Sequence, residues 1–311
     1  MSATTATSMN SRRGLSERPA LLVTGASGFV GRHVIAAGRD RYAILATGRG
    51  TRPTWLPDDV AWHQVDLLDR ASVATLPRDV PHILHLASET VPARFTSYEP
   101  LAESVEMTLN LCRHLTSGRL VFTSSCLVYG ASTKPLVEDD PLDPRGNYGL
   151  AKTIGEAIVC RTSGLEAVVA RPFNHIGSGM RPDLVIPSIV RRVKAAIDGE
   201  PIQMLGLDSI RDFLDVSDIV AAYFALLDAP SLPFSAFNVA SGQPTSISDV
   251  VRATARILHK PIGEVLFSAQ GNSADDTSIV VGDAQRLRTA TGWKPRVSLE
   301  ESLQRLAAST S

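Results

Sequence analysis

The sequence predicts an α/β fold: a doubly wound parallel sheet followed by a smaller C-terminal α/β lobe. Three observations predict it. Short apolar runs alternate with longer amphipathic stretches from residue 20 to residue 172. The runs are rich in Val, Ile and Leu without polar alternation, as in strands buried on both faces. Each run is bounded by Gly, Pro or charged residues. Strand alternating with helix gives parallel strands joined by right-handed crossovers.

In chain order, strands are expected at 20–24, 42–47, 60–65, 82–87, 119–123 and 165–170. Helices are expected between them at 29–38, 71–76, 101–117 and 148–162. After Arg171-Pro172 the alternation becomes irregular. That half reads as helices at 184–197, 216–227, 248–258 and 299–307, with strands at 201–205, 237–240 and 279–281. Residues 1–18 are rich in Ser, Thr, Ala and Arg with no apolar period, so a flexible tail is expected. Residues 19–172 form the first domain, completed by 212–244, and 173–211 with 245–311 form the second lobe.

The 311 residues are 44% hydrophobic and 20% charged, with a formal net charge of −1. This balance excludes wholesale disorder and gives no electrostatic drive toward nucleic acid or an anionic membrane. No apolar run reaches the roughly 18–20 residues that span a bilayer. Cys112, Cys126 and Cys160 are too few and scattered for a disulfide framework or a paired-cysteine metal site. A cytoplasmic protein without a metal is the expectation.

The first chemical motif is Thr24-Gly25-Ala26-Ser27-Gly28-Phe29-Val30-Gly31, which ends a strand and opens a helix. A dinucleotide fingerprint needs that context. Gly25 permits the tight turn, Gly28 lets a pyrophosphate approach the backbone, and Gly31 allows close helix–strand packing. The helix N-terminus then offers N–H donors to the phosphates. The bland alternative is a bare strand–helix turn. Residues 19–172 therefore read as a dinucleotide-binding domain.

The second strand leads into Gly48-Arg49-Gly50-Thr51-Arg52, which has two arginines and no acid. NAD sites normally place a carboxylate here for the ribose hydroxyls, whereas a guanidinium suits a 2′-phosphate. NADP(H) is therefore preferred over NAD(H), against the alternative that both arginines are solvated loop charges. Asp66 and Leu67, past the third strand, are expected to hold the adenine amino group and cover its ring.

The sharpest motif is Tyr148-Gly149-Leu150-Ala151-Lys152. Positions i and i+4 share a helix face, so phenol and ammonium point into one cleft. The ammonium is expected to lower the phenol's pKa. Ser124-Ser125 precedes them at the carboxyl end of a strand, where open α/β sheets bind ligands. Serine, tyrosine and lysine beside a nicotinamide make a carbonyl/alcohol redox site.

With HLAS at 85–88, SSCLVYG at 124–130, RPFNHIG at 171–177, RDFLDVSDI at 211–219 and GWKP at 292–295, the chain resembles the extended short-chain dehydrogenases/reductases of the NAD-dependent epimerase/dehydratase family. The resemblance runs from 20 to 307 and implies a Rossmann sheet. It implies that Ser125 is the catalytic serine, Tyr148 the proton donor, and Lys152 the residue that binds the nicotinamide ribose and tunes Tyr148. It also puts Gly25, Ser27, Gly28, Phe29, Val30, Gly31, Leu86, Ala87, Ser88 and Pro172 around the cofactor.

Within the family, RPFNHIG and RDFLDVSDI most resemble reductases of nucleotide-linked 4-keto-6-deoxyhexoses, especially GDP-4-keto-6-deoxymannose reductases. That likeness implies a GDP- or dTDP-linked ketosugar as substrate, with Asn174 facing it and Arg211 contacting its ribose or diphosphate. His175 is expected to be a scaffold residue. Family members are often dimers through two helices from each subunit, here 101–117 and 148–162.

Three positions depart from the pattern. Ser273 stands where relatives carry an arginine for the diphosphate, and Ser104 where they carry an asparagine. Cys126-Leu127 replaces the acid pair of sugar-nucleotide dehydratases. Besides the NADPH-dependent 4-ketoreductase, the sequence leaves open an NAD-retaining 4-epimerase and a reductase of a ketone not attached to a nucleotide. A non-catalytic NADP-binding sensor would have no use for the intact Ser/Tyr/Lys set.

Overall fold

The computed structural model describes residues 18–90, 92–130, 132–206, 208–268 and 279–309. The expected tail, apart from its last residue, and Ser273 lie outside the described residues.

The first half runs β1 (Ala20–Thr24), α1 (Phe29–Gly38), β2 (Ala43–Gly48), β3 (Ala61–Gln64), α2 (Arg70–Val73), β4 (Asp79–His85), α3 (Glu99–His114), β5 (Ser117–Thr123), α4 (Gly146–Val159) and β6 (Leu165–Pro172). The second half follows with β7 (Asn174–Ile176), α5 (Val185–Lys194), β8 (Ile202–Leu205), β9 (Ile210–Asp215), α6 (Val216–Asp228), β10 (Ala236–Val239), β11 (Pro244–Ser246), α7 (Ile247–Ile257), β12 (Val265–Ser268), β13 (Ile279–Val280), α8 (Gln285–Thr291) and α9 (Leu299–Ser309).

Seven strands form one parallel sheet in the order β10-β6-β5-β4-β1-β2-β3. Its two faces are separated by strand parity. Leu21 and Val23 of β1 join Val34, Ile35, Ile219 and Phe224 under α1 and α6. Leu22 points the other way, among Val73, Ile83, Leu111 and Val159 under α2, α3 and α4. Each such buried side chain contributes about 1.5–3 kcal/mol, so both faces need their helices.

Side chains start several helices where the sequence offers an oxygen. Asp69 caps α2 through the Ala71 N–H at 2.9 Å, Asp215 caps α6 through Ser217, and Ser246 caps α7 through Asp249. Helix α4 starts two residues before the expected 148 and ends at Val159 rather than 162. Tyr148 therefore lies within the first turn, and the chain turns out through Gly164 at φ +85.

The C-terminal lobe has its own core, in which Ile189 and Val193 of α5, Val250 and Val251 of α7, and Leu303 and Leu306 of α9 meet. Two small sheets border it: β11-β9-β13 with β7 paired to β9, and β12-β8. Strands β7, β9, β11 and β12 and helix α8 were not expected, because three- to seven-residue pieces carry too little periodicity. The boundary also shifts: Val280, Ala284, Leu287 and Trp293, expected in the second lobe, pack into the core beneath α6.

Candidate active site

The carboxyl ends of β1, β2, β4, β5 and β6 gather the predicted residues. Gly25 sits at φ +68, and a Cβ there would come within 2.7 Å of the Ala87 nitrogen. A Cβ on Gly31 would meet the carbonyl oxygens of Gly25 and Ala26 at 2.6 Å. Both positions require glycine, and α1 is thereby drawn down onto β1. Ser27 and Gly28 are exposed at the turn, and Val30 packs on the core beneath. The Thr24 hydroxyl bonds His85 Nδ1 at 2.7 Å and accepts from the Ala87 N–H at 3.3 Å, which ties the 86–88 segment to the turn. Phe29 spends its ring elsewhere, stacking on His175 and meeting His33 edge-on.

At the end of β2 the two arginines divide. Arg52 donates to the carbonyls of Val60 at 2.8 Å and Pro57 at 2.6 Å, so it holds its own loop together. Arg49 is exposed, and its guanidinium has no partner among the described residues. Arg32, which the sequence reading passed over, donates to the Ser27 carbonyl and lies 4.6 Å from the Trp55 ring, bringing a second cation to the glycine turn.

Asp66 receives the Leu68 N–H at 3.0 Å. Leu67 does not stand out over a ring as expected. Its side chain is buried beside Leu22, Val73 and Leu111. Asn110, also missed, steadies this segment by donating to the Leu67 carbonyl at 3.0 Å.

The glycine turn under a helix N-terminus fits a dinucleotide pyrophosphate. The corner after β2 has no acid from 48 to 52 and presents the exposed Arg49 guanidinium.

Ser125, Tyr148 and Lys152 converge. The Ser125 hydroxyl lies close enough to the Tyr148 phenol to act on its pKa. Lys152 is buried, donates to the Thr123 carbonyl at 2.9 Å, and sits 5.7 Å from the centroid of the Tyr148 ring. Ser124 is committed elsewhere, donating to Glu156, which leaves Ser125 as the serine of the cleft. The expected lowering of the phenol's pKa is not found. Burial pushes Tyr148 up to about 12, the neighbouring Cys126 thiol adds to the rise, and the Ser125 hydroxyl opposes it. The ammonium is drawn toward a backbone carbonyl rather than to the phenol oxygen. A neutral phenol suits proton donation.

Phe95 packs edge-on against Tyr148, with centroids 5.3 Å apart. Asn147 fixes that wall by donating to the carbonyls of Phe95 and Ser97. Cys126 is buried and its thiol is raised to about 12, so it is no base.

On the C-terminal side Asn174 donates to the Asp212 carbonyl at 3.2 Å. Arg211 lies near enough to Cys126 for its charge to act on that thiol. Its motif's acids are structural. Asp212 accepts from the N–H groups of Ser241, Gly242 and Gly282. Asp215 accepts from Ser302, and Asp218 accepts from Arg296 and Val297.

The model of the NAD dependent epimerase/dehydratase family matches residues 21–240. The chain belongs to that family. It is 33% identical to the GDP-6-deoxy-D-mannose reductase of Pseudomonas aeruginosa over 91% of this chain and 94% of that protein. It is 24% identical to the dTDP-4-dehydro-6-deoxyglucose reductase of Escherichia coli over 93% and 96%. Among solved structures, RMD from Pseudomonas aeruginosa complexed with NADPH superposes with a TM-score of 0.78 at 29% identity, covering 94% of this chain and 98% of that one. The chain is an NAD(P)-dependent oxidoreductase of the extended short-chain dehydrogenase/reductase type. Among its described residues no helix is long and apolar enough to cross a membrane.

The family's glycine turn, serine, tyrosine and lysine were legible as motifs. Arg32, Phe95, Asn110 and Asn147 were not, because each acts through a contact made across the fold. Only Asn147 had a local signal, its place immediately before Tyr148.

Proposed function

We propose that the protein reduces the 4-keto group of a nucleotide-linked 4-keto-6-deoxyhexose, using NADPH. The observation that carries this reading is the convergence of the half-buried Tyr148 with Ser125 and with Lys152, whose ammonium sits 5.7 Å from the tyrosine ring centroid. NADPH, when bound, supplies the hydride to the ketone carbon. Ser125 orients the ketone oxygen by a hydrogen bond, and Tyr148 gives its proton to that oxygen as alkoxide develops. Lys152 holds the nicotinamide ribose through its ammonium.

The glycine turn with Ser27, Gly28 and the 86–88 segment would hold the pyrophosphate half, Asp66 and the Leu67 backbone the adenine, and Pro172 the edge near the nicotinamide. Arg49 would take the 2′-phosphate, which favours NADP(H) over NAD(H). Asn174 and Arg211 would face the nucleotide sugar, so residues of the second lobe recognise substrate while the sheet domain carries cofactor. The two reductase relatives support this substrate class.

Incubation with NADPH and a panel of GDP- and dTDP-4-keto-6-deoxyhexoses tests the reading. Loss of absorbance at the reduced nicotinamide band with one of them is expected. Oxidised NAD copurifying with the protein, and no need for added NADPH, would instead indicate a 4-epimerase. We also read the chain as a cytoplasmic homodimer joined through α3 and α4; Tyr98, just before α3, and Leu150 of α4 are exposed. Sedimentation at micromolar concentration checks the stoichiometry.

A further inference from the structure

Glu156 lies one helical turn beyond Lys152 on α4, in line with Tyr148, and is only 6% exposed. Its carboxylate is clamped from the sheet. Arg171, at the end of β6, donates Nε to Oε1 at 3.0 Å and Nη2 to Oε2 at 2.7 Å. The Ser124 hydroxyl also donates to Oε1. Arg171 is itself fixed, donating to the Tyr129 hydroxyl at 2.8 Å and the Glu138 carbonyl at 3.2 Å. Lys152 meanwhile binds the carbonyl of Thr123, the residue before Ser124. Two consecutive turns of one helix thus dock on two consecutive residues at the end of β5.

A buried ion pair is a poor source of stability, because desolvation offsets most of the attraction. The redox reading does not use this one either. We propose that Glu156 is a positioning residue of the redox site, fixing α4 on β5 and supplying the counter-charge that keeps Lys152 an ammonium. The inference rests on the reading of Ser125, Tyr148 and Lys152 given above.

The surroundings of Lys152 support it. From β5 it faces the Thr123 carbonyl and the Phe122 ring at 5.4 Å. From β4 it faces His85, which burial holds neutral. On its own helix it faces neutral Tyr148. Arg171 stands behind Glu156 as its ion-pair partner. Burial draws Lys152 down to about 8, and the Glu156 charge is what opposes that fall. Without that charge the ammonium would give up its proton near neutral pH, and with it the hydrogen bonds that hold the cofactor's ribose.

The test is the pH dependence of NADPH binding, followed by nicotinamide fluorescence from about pH 6 to pH 10. The dissociation constant of the wild type should rise as pH passes about 8. In Glu156→Gln the rise should move down by about one pH unit or more, and in Glu156→Asp it should return toward the wild-type position. A Glu156→Gln protein that melts lower or binds more weakly by the same factor at every pH, with the rise unmoved, overturns the proposal. If Glu156→Gln does not fold, Glu156→Gln/Arg171→Met removes both buried charges, avoids a lone guanidinium, and should show the same displacement. Lys152→Met separates the two readings. If it keeps both the pH dependence and ketone reduction, the redox reading fails. If it loses both while Glu156→Gln tracks wild type, only the assignment of Glu156 fails.

Discussion

Phe29 and His175 stack face to face across the two lobes, with ring centroids 5.7 Å apart and planes 10° from parallel. The first residue of the helix above the glycine turn is therefore propped by β7. Burial lowers the pKa of His175 and its Nδ1 sits 3.4 Å from the Phe173 carbonyl, so the imidazole packs as a neutral aromatic ring.

His175→Phe, which keeps a ring in the stack, should leave turnover within a few-fold of wild type. Phe29→Ala should instead loosen the turn and weaken NADPH binding several-fold. Steady-state kinetics and cofactor titration of the two variants check this pair. A loss of about 10²-fold or more in His175→Phe, the range of acid–base catalysis, would make the histidine a catalytic group.

Tyr148→Phe deletes the phenol hydroxyl and keeps the ring against Phe95. General acid catalysis contributes about 10²–10⁴-fold, so turnover should fall by that factor while NADPH affinity stays near normal. Single-turnover reduction of the ketosugar is the measurement.

Arg49 and Arg52, three residues apart, should separate cleanly. Arg49→Asp removes a free guanidinium and should shift the NADPH/NADH ratio of kcat/KM toward NADH by tenfold or more, since a charge-assisted hydrogen bond is worth roughly 1.5–3 kcal/mol. Arg52→Ala abandons three backbone carbonyls and should lower the melting temperature with little change in that ratio.

Arg211→Ala should raise KM for a nucleotide sugar more than it lowers kcat, because a contact remote from the reacting carbon binds ground and transition states alike. Calorimetric titration of GDP and dTDP into the NADPH-loaded protein measures the loss directly. No nucleotide binding even to wild type would mean that the ketone is carried by something else.

His85 gives the fold a specific weakness in acid. It is buried between the Thr24 and Thr108 hydroxyls, and burial holds its pKa at about 3. An unfolded histidine titrates near 6.5. Between those values the unfolded chain binds a proton that the folded chain refuses, so stability falls as pH falls through that window. Its contribution from about pH 6.5 to 5 is roughly 2 kcal/mol. His85→Asn should be less stable at neutral pH but show a flatter pH dependence there, read from urea midpoints.

The sequence and the structure agree best where a local pattern suffices. Strand β1 with its glycine turn, and Tyr148 four residues before Lys152, are each encoded within about a dozen consecutive residues. Short strands such as β7 and β11 could not be read, because pairing with β9 rather than any period makes them strands. The tyrosine's pKa was misjudged for a related reason. Sequence spacing shows that Lys152 is a neighbour, but neither how deeply it is buried nor that the ammonium turns to Thr123. Leu67 likewise reads as an exposed ring contact until α2 and α3 close over it.

The carboxylate of Asp212 bears on how a ligand could enter. The chain passes between the large sheet and the small one at 172–174, 240–244 and 280–282, and Asp212 or its backbone bonds Asn174, Ser241, Gly242 and Gly282. These three crossings are thus riveted at a single buried residue, and two further ones, at 215–216 and 293–299, are tied beside it where Asp215 accepts from Ser302 and Asp218 accepts from Arg296 and Val297. Rocking one lobe away from the other about those crossings would have to break that knot, so the cleft lacks a hinge there. Admission and release then fall to the rim segments, and the radius of gyration should barely change when cofactor and substrate bind.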